Sequence, residues 1–190
     1  MIAGWSPGIG DPTLLGWLTA AHYMVAFIIA IAVARQPHRD QLVWKILAFA
    51  LLFMGINKQL DLQSLAAAVG RATFKAHGLY EGRRAFQFAA IIVVLVTALI
   101  GLVIFYFVVR DATRGTRLAA LGMALMVGFV GMRAITLEHV DAMLNLTFGG
   151  VRFNHVLENG AIAVTEAGAV LALHDLARRA ARRAGLVEEV

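Results

Sequence analysis

Apolar residues run along this chain in five long stretches, and the polar residues between them are bunched rather than scattered. Runs of this kind signal membrane-spanning helices, which need about 20 mostly apolar residues to cross a ~30 Å hydrocarbon layer. The pattern predicts an all-α, polytopic integral membrane helical bundle with transmembrane spans at about 13–34, 41–57, 86–109, 117–139 and 159–176. The first span opens behind Asp11-Pro12, an acceptor side chain followed by a residue preset for a first helical turn. The second follows Asp40 and the fourth follows Thr116, while the third, the most hydrophobic, has no ionisable group except the Tyr106 phenol. The second and fifth are short for a full crossing, so they are expected to extend into polar flanks that then lie at membrane depth.

Composition agrees with the pattern. Apolar residues make up 60% of the chain and charged residues 15%, with a mean hydropathy of +0.75. Soluble domains carry about 25% charged residues. The 190 residues leave room for one transmembrane domain and no separate soluble one. Zero cysteines exclude disulfides, iron–sulfur clusters, thiolate zinc sites and a Cys nucleophile. The start, MIAGWSPGIGDP, lacks a basic leader region, so the first apolar stretch is expected to remain as a span.

Short-loop lysines and arginines set the orientation. With the N-terminus outside and the C-terminus inside, the inner segments hold Arg35, Arg39 and Lys45, then Arg110, Arg114 and Arg117, then the basic cytoplasmic tail 177–190 with Arg178, Arg179, Arg182 and Arg183. The segment 58–85 runs against the trend, with Lys58, Arg71, Lys75, Arg83 and Arg84 on the outer side. It mixes aromatics with bases, which predicts an interfacial amphipathic connector whose cations meet anionic headgroups. The expected location is a bacterial-type inner (plasma) membrane, with membrane lipid as neighbour and a larger complex or homo-oligomer as partner. The pI near 10.2 reflects this loop and the arginine tail, and nucleic acid is discounted.

The outer side also collects the hydrogen-bonding residues. "GINKQLDLQ" places Asn57, Lys58, Gln59, Asp61 and Gln63 at the mouth of the second span, more polar groups than a helix end needs. The end of the fourth span and the stretch leading into the fifth add Arg133, His139, Asp141, His155 and Glu158. His155 and Glu158, three apart, share a helical face, and with His139 or Asp141 they suit zinc or iron coordination. His22, ~13 Å into the first span, is a further ligand candidate for a metal or a pigment. Glu166 lies near the middle of the fifth span, where a carboxylate normally faces a partner, and Arg133 is the expected counter-ion. Stripes of small residues, Ala120, Ala124 and Gly128 on the fourth span and Ala161, Thr165 and Ala169 on the fifth, are expected to let these helices approach closely.

The string Thr136-x-x-His139-x-Asp141 resembles a Ser/His/Asp signature of membrane hydrolases related to alkaline ceramidases. That resemblance implies a zinc near one membrane face; the superfamily has seven spans where five are counted here, and no membership is assigned. Three functions remain in view. One is a membrane-embedded metal-dependent hydrolase or transferase acting on a lipid-like anionic substrate, with Asp61, His139, Asp141 and Glu158 as catalytic candidates. In it, His139, His155, Glu158 and His22 are metal candidates. Asn57, Lys58, Gln59, Gln63, Arg71, Arg83, Arg84 and Arg133 are the substrate contacts. The others are a non-enzymatic accessory or assembly subunit of a pigment- or haem-associated complex and a small proton-coupled transporter built on Glu166.

Overall fold

The computed structural model describes residues 9–60, 101–134, 147–148 and 151–185, together with positions 68, 69, 72, 73, 96 and 99. Helices α1 (Leu14–Ala34) and α2 (Gln41–Leu60) form an antiparallel hairpin. Residues 101–109 are helical and turn sharply into α3 (Arg114–Ala134). A two-residue antiparallel ladder, β1 (Thr147–Phe148) with β2 (Val151–Arg152), precedes α4 (Phe153–Arg183). Helix α4 packs against α1 on one side and α3 on the other, so α1 and α4 form the centre of the described bundle.

Among the described residues three helices are long and apolar enough to cross a membrane, α1, α2 and α4. Their surfaces are inverted relative to a soluble bundle. The buried stripe of α1 is Gly16, Thr19, Tyr23, Ala26, Ala30 and Val33, whereas Leu18, Val25 and Ile28 point outward. Small residues inside let backbones approach, and large apolar ones outside suit lipid.

Local chemistry explains the helix ends. Thr13 caps α1 by accepting from the Gly16 N–H at 3.0 Å, and Asp11 in turn accepts from the Thr13 hydroxyl at 2.6 Å. Asp11 therefore braces the cap and Thr13 is the cap itself. Pro37 prevents α1 from continuing, and the Gln41 side-chain amide donates to the Ala34 carbonyl at 3.0 Å. Asp40 does more than precede α2. Its carboxylate crosses to α3, accepting from the Thr113 N–H at 2.8 Å and the Thr116 hydroxyl at 2.9 Å. Trp44, fully buried, donates to the same hydroxyl at 3.0 Å. Burial alone would raise the Asp40 carboxyl, but these hydrogen bonds and one from Arg39 outweigh it and hold the group below the usual carboxylate range.

Two boundaries differ from expectation. Helix α2 continues to Leu60, so Asn57, Lys58 and Gln59 lie on its last turn. Helix α4 starts at Phe153, six residues before the predicted 159, and runs through the arginines to Arg183 with no break before a tail. The close approach of α3 and α4 is as expected, but on a different register. Gly115, Ala119 and Gly122 meet Thr165, Gly168 and Ala172, and a Cβ on Gly168 would lie 2.6 Å from the Gly115 carbonyl oxygen. A Cβ on Gly128 would meet no described residue within 4 Å and Ala124 is only half-buried, whereas Ala161, Thr165 and Ala169 are buried as predicted.

Candidate functional site

The last turn of α2, the start of α1 and the first turns of α4 converge at one end of the bundle. There Lys58 Nζ lies 2.7 Å from Glu158 Oε2, with only 7% and 6% of the two side chains exposed. Glu158 Oε1 accepts from the Tyr23 hydroxyl at 3.1 Å, so both carboxylate oxygens are engaged. Lys58 also stands 3.8 Å from Asp11 Oδ2, and His155 Nε2 stands 3.7 Å from the same oxygen. Gly55 makes this convergence possible: a Cβ there would lie 2.9 Å from the Tyr23 Cβ, so any larger residue would push α2 off α1.

Asp11 and Glu158 are two carboxylates against the Lys58 ammonium, and Arg152 on the adjoining cavity lining supplies a second positive charge, so the polar wall carries two groups of each sign. Burial would raise the Asp11 carboxyl, but the hydroxyl and N–H of Thr13 and the charges of Lys58 and His155 leave it below its ordinary value. A cavity of about 610 Å³ opens beside the cluster. Asp11, Asn57, Lys58, Arg152 and Glu158 form its polar part, while Phe53, Met54, Met123 and Phe129 form an apolar floor. Volume and mixed lining suit an amphiphile of drug-like size or part of a larger one.

A second polar group lies between α1 and α4. His22 Nδ1 is 2.8 Å from Asn159 Oδ1, and His22 Nε2 is 3.1 Å from Glu166 Oε2. Asn159 also donates to the Thr19 hydroxyl at 2.9 Å and to the His155 carbonyl at 2.8 Å.

Of the sequence candidates, His155 and Glu158 do share a face and a cluster, both 5% exposed. Glu158 is held by Lys58 and Tyr23 rather than by His155. Asn57 lines the cavity, and Gln59 binds the α1 start, its amide donating to the Gly16 carbonyl at 3.4 Å. His22 has both ring nitrogens engaged by protein groups. Among the described residues no three His, Cys, Asp or Glu side chains gather into a metal-binding group. Glu166 pairs with His22; Arg133 belongs to α3, but its side chain is outside the described set. Asp61, Gln63, Arg71, Arg83, Arg84, His139 and Asp141 also lie outside the described residues.

Sequence reasoning missed Tyr23 and Asn159 and treated Asp11 only as a helix start. Tyr23 and Asn159 each adjoin a residue that was singled out, His22 and Glu158, and that adjacency was the available signal. No family model, curated protein or solved structure matches the chain.

Proposed function

We propose that the chain is a multi-pass integral membrane protein of the bacterial inner-membrane type, N-terminus outside, that takes the polar end of a lipid-like molecule into the outer cavity. The observation that carries this reading is the division of that cavity: a buried Lys58–Glu158–Asp11 cluster on one wall and an apolar floor of Phe53, Met54, Met123 and Phe129 on the other. An anionic group on the ligand meets Arg152 and Lys58; its apolar portion lies on the floor. Arg71, Arg83 and Arg84 are proposed as further anion contacts on the strength of their charge alone. The chemistry that fits is hydrolysis or group transfer at the headgroup: Glu158 accepts the proton of an attacking water or alcohol as its oxygen bonds to the headgroup centre, the bond to the leaving oxygen breaks, and Glu158 returns the proton to that oxygen. In the described arrangement the Lys58 ammonium, 2.7 Å from Glu158 and 3.8 Å from Asp11, supplies the positive charge between the two carboxylates.

Native mass spectrometry of the detergent-purified protein with a set of single-chain lipids tests it. Anionic and zwitterionic lysophospholipids are expected to bind, and Arg152→Ala with Asn57→Ala is expected to weaken both at least tenfold. Equal retention by that double variant, or preference for an alkyl-trimethylammonium of the same chain length, refutes it. Co-purification of stoichiometric protein subunits without any lipid preference supports the accessory-subunit reading instead.

A further inference from the structure

The hydrogen bonds around Asn159 settle the position of one proton and require a second. The Asn159 amide nitrogen faces the His155 carbonyl, which can only accept, so the amide oxygen is the atom turned toward His22. The Thr19 hydroxyl fits the same assignment, since it donates to the Leu15 carbonyl at 2.8 Å and is left to accept from Asn159. His22 Nδ1 must therefore carry a hydrogen. A neutral imidazole with its hydrogen on Nδ1 presents a lone pair at Nε2, and that lone pair faces Glu166 Oε2 at 3.1 Å. An ionised carboxylate there would set lone pair against lone pair. The contact closes only if one more proton lies between the two atoms, on His22 as imidazolium or on Glu166 as carboxylic acid.

We propose that His22 and Glu166 form a proton-binding site within the α1/α4 helix pair, with Asn159 as the positioning residue that selects the His22 tautomer. The site takes one exchangeable proton between Nε2 and Oε2. Both groups belong to helices long and apolar enough to span a membrane, and His22 lies eight residues, ~12 Å, into α1. Ionisable side chains at such depth characteristically serve proton or ion pathways. Neither residue is among the described lining of the outer cavity, so the site stands apart from the ligand site proposed above. Glu166 Oε1 is buried and has no hydrogen-bond partner among the described residues, and no described lysine or arginine pairs with the carboxylate. The proton shared with His22 is thus what balances Glu166 within this interface.

The test is nitrogen-15 NMR of histidine-labelled protein in micelles, with infrared spectroscopy of the carboxyl region on the same samples. The chain holds six histidines, so His22→Gln assigns the His22 signals by difference, and Glu166→Gln assigns the carboxyl band. Expected in the wild type is a protonated Nδ1, together with either an imidazolium Nε2 or a carboxylic C=O band that disappears in Glu166→Gln. Asn159→Leu is expected to release the tautomer, so that the hydrogen moves partly to Nε2 while the fold is retained. A bare Nδ1 overturns the proposal. So does a wild type with neither an imidazolium signal nor a carboxylic band, because no proton then lies between the pair. If Glu166→Gln does not fold, the nitrogen-15 difference between wild type and His22→Gln decides the matter: a missing protonated Nδ1 signal supports the pair, and a missing bare Nδ1 signal overturns it.

Discussion

Replacing Lys58 by methionine removes the ammonium between two carboxylates and leaves Glu158 buried with the Tyr23 hydroxyl as its one described hydrogen-bond donor. Methionine nearly matches the lysine stem, so the loss is chiefly electrostatic. Breaking a buried ion pair by deleting one partner costs about 3–5 kcal/mol. The pair is 2.7 Å apart with both side chains more than nine-tenths buried, so little solvent screening reduces that figure. At roughly 2–4 °C per kcal/mol for chains of 150–250 residues, the midpoint of thermal unfolding should fall by roughly 6–20 °C. The assay is thermal unfolding in one detergent, read by tryptophan fluorescence and size exclusion. The triple variant Lys58→Met, Glu158→Leu, Tyr23→Phe removes the whole polar group and should recover most of the loss, because an apolar replacement of a buried pair is often near neutral. If Lys58→Met unfolds within about 2 °C of wild type, or the triple variant is as weak as the single one, the cluster is not the buried ion pair described here.

Asp40 provides a pH test. Its folded carboxyl is held below the usual range by Thr113, Thr116 and Arg39 despite burial, so its contribution is fully present above about pH 4 and is lost as the pH falls through the lower folded value. Wild type should therefore lose more thermal stability than Asp40→Asn between pH 5 and pH 3, and parallel curves would refute the assignment. Gly168→Ala should destabilise by about 1–3 kcal/mol through overpacking against Gly115 and Ala119, whereas Gly128→Ala meets nothing within 4 Å and should be neutral or gain up to ~1 kcal/mol. Equal effects in chemical unfolding would contradict the described register. The chain has no cysteine, so single cysteines at Gly10, Gln36 and Asp111 can be labelled with an impermeant maleimide. Gln36 and Asp111 should react from the inner side and Gly10 from the outer; labelling of Gly10 and Gln36 from the same side sinks the topology.

What was legible in the sequence is what local chemistry determines. The bounds of α1 follow from Asp11, Thr13 and Pro37, and its apolar run does the rest. The start of α4 was less visible, because Asn154, His155 and Glu158 reduce the hydropathy of that window. They are tolerated because Lys58 of α2 and Asp11, just ahead of the α1 cap, meet two of them. A scan along one segment cannot see such compensation. The same limit hides the described partners: Lys58 meets Glu158 and Glu166 meets His22, 100 and 144 positions away along the chain. The small-residue stripe of α3 was misplaced by register, since Ala119 and Ala120 are both buried and only contact geometry separates them.

The separation of 100 positions between Lys58 and Glu158 matters during biosynthesis. At about 5–20 residues per second, the ribosome needs roughly 5–20 seconds to deliver the acid after the base has emerged. Until then the nascent α1–α2 hairpin holds the Lys58 cation with Asp11, 3.8 Å away, as its described acidic neighbour, and the 2.7 Å contact to Glu158 forms only once α4 has been made.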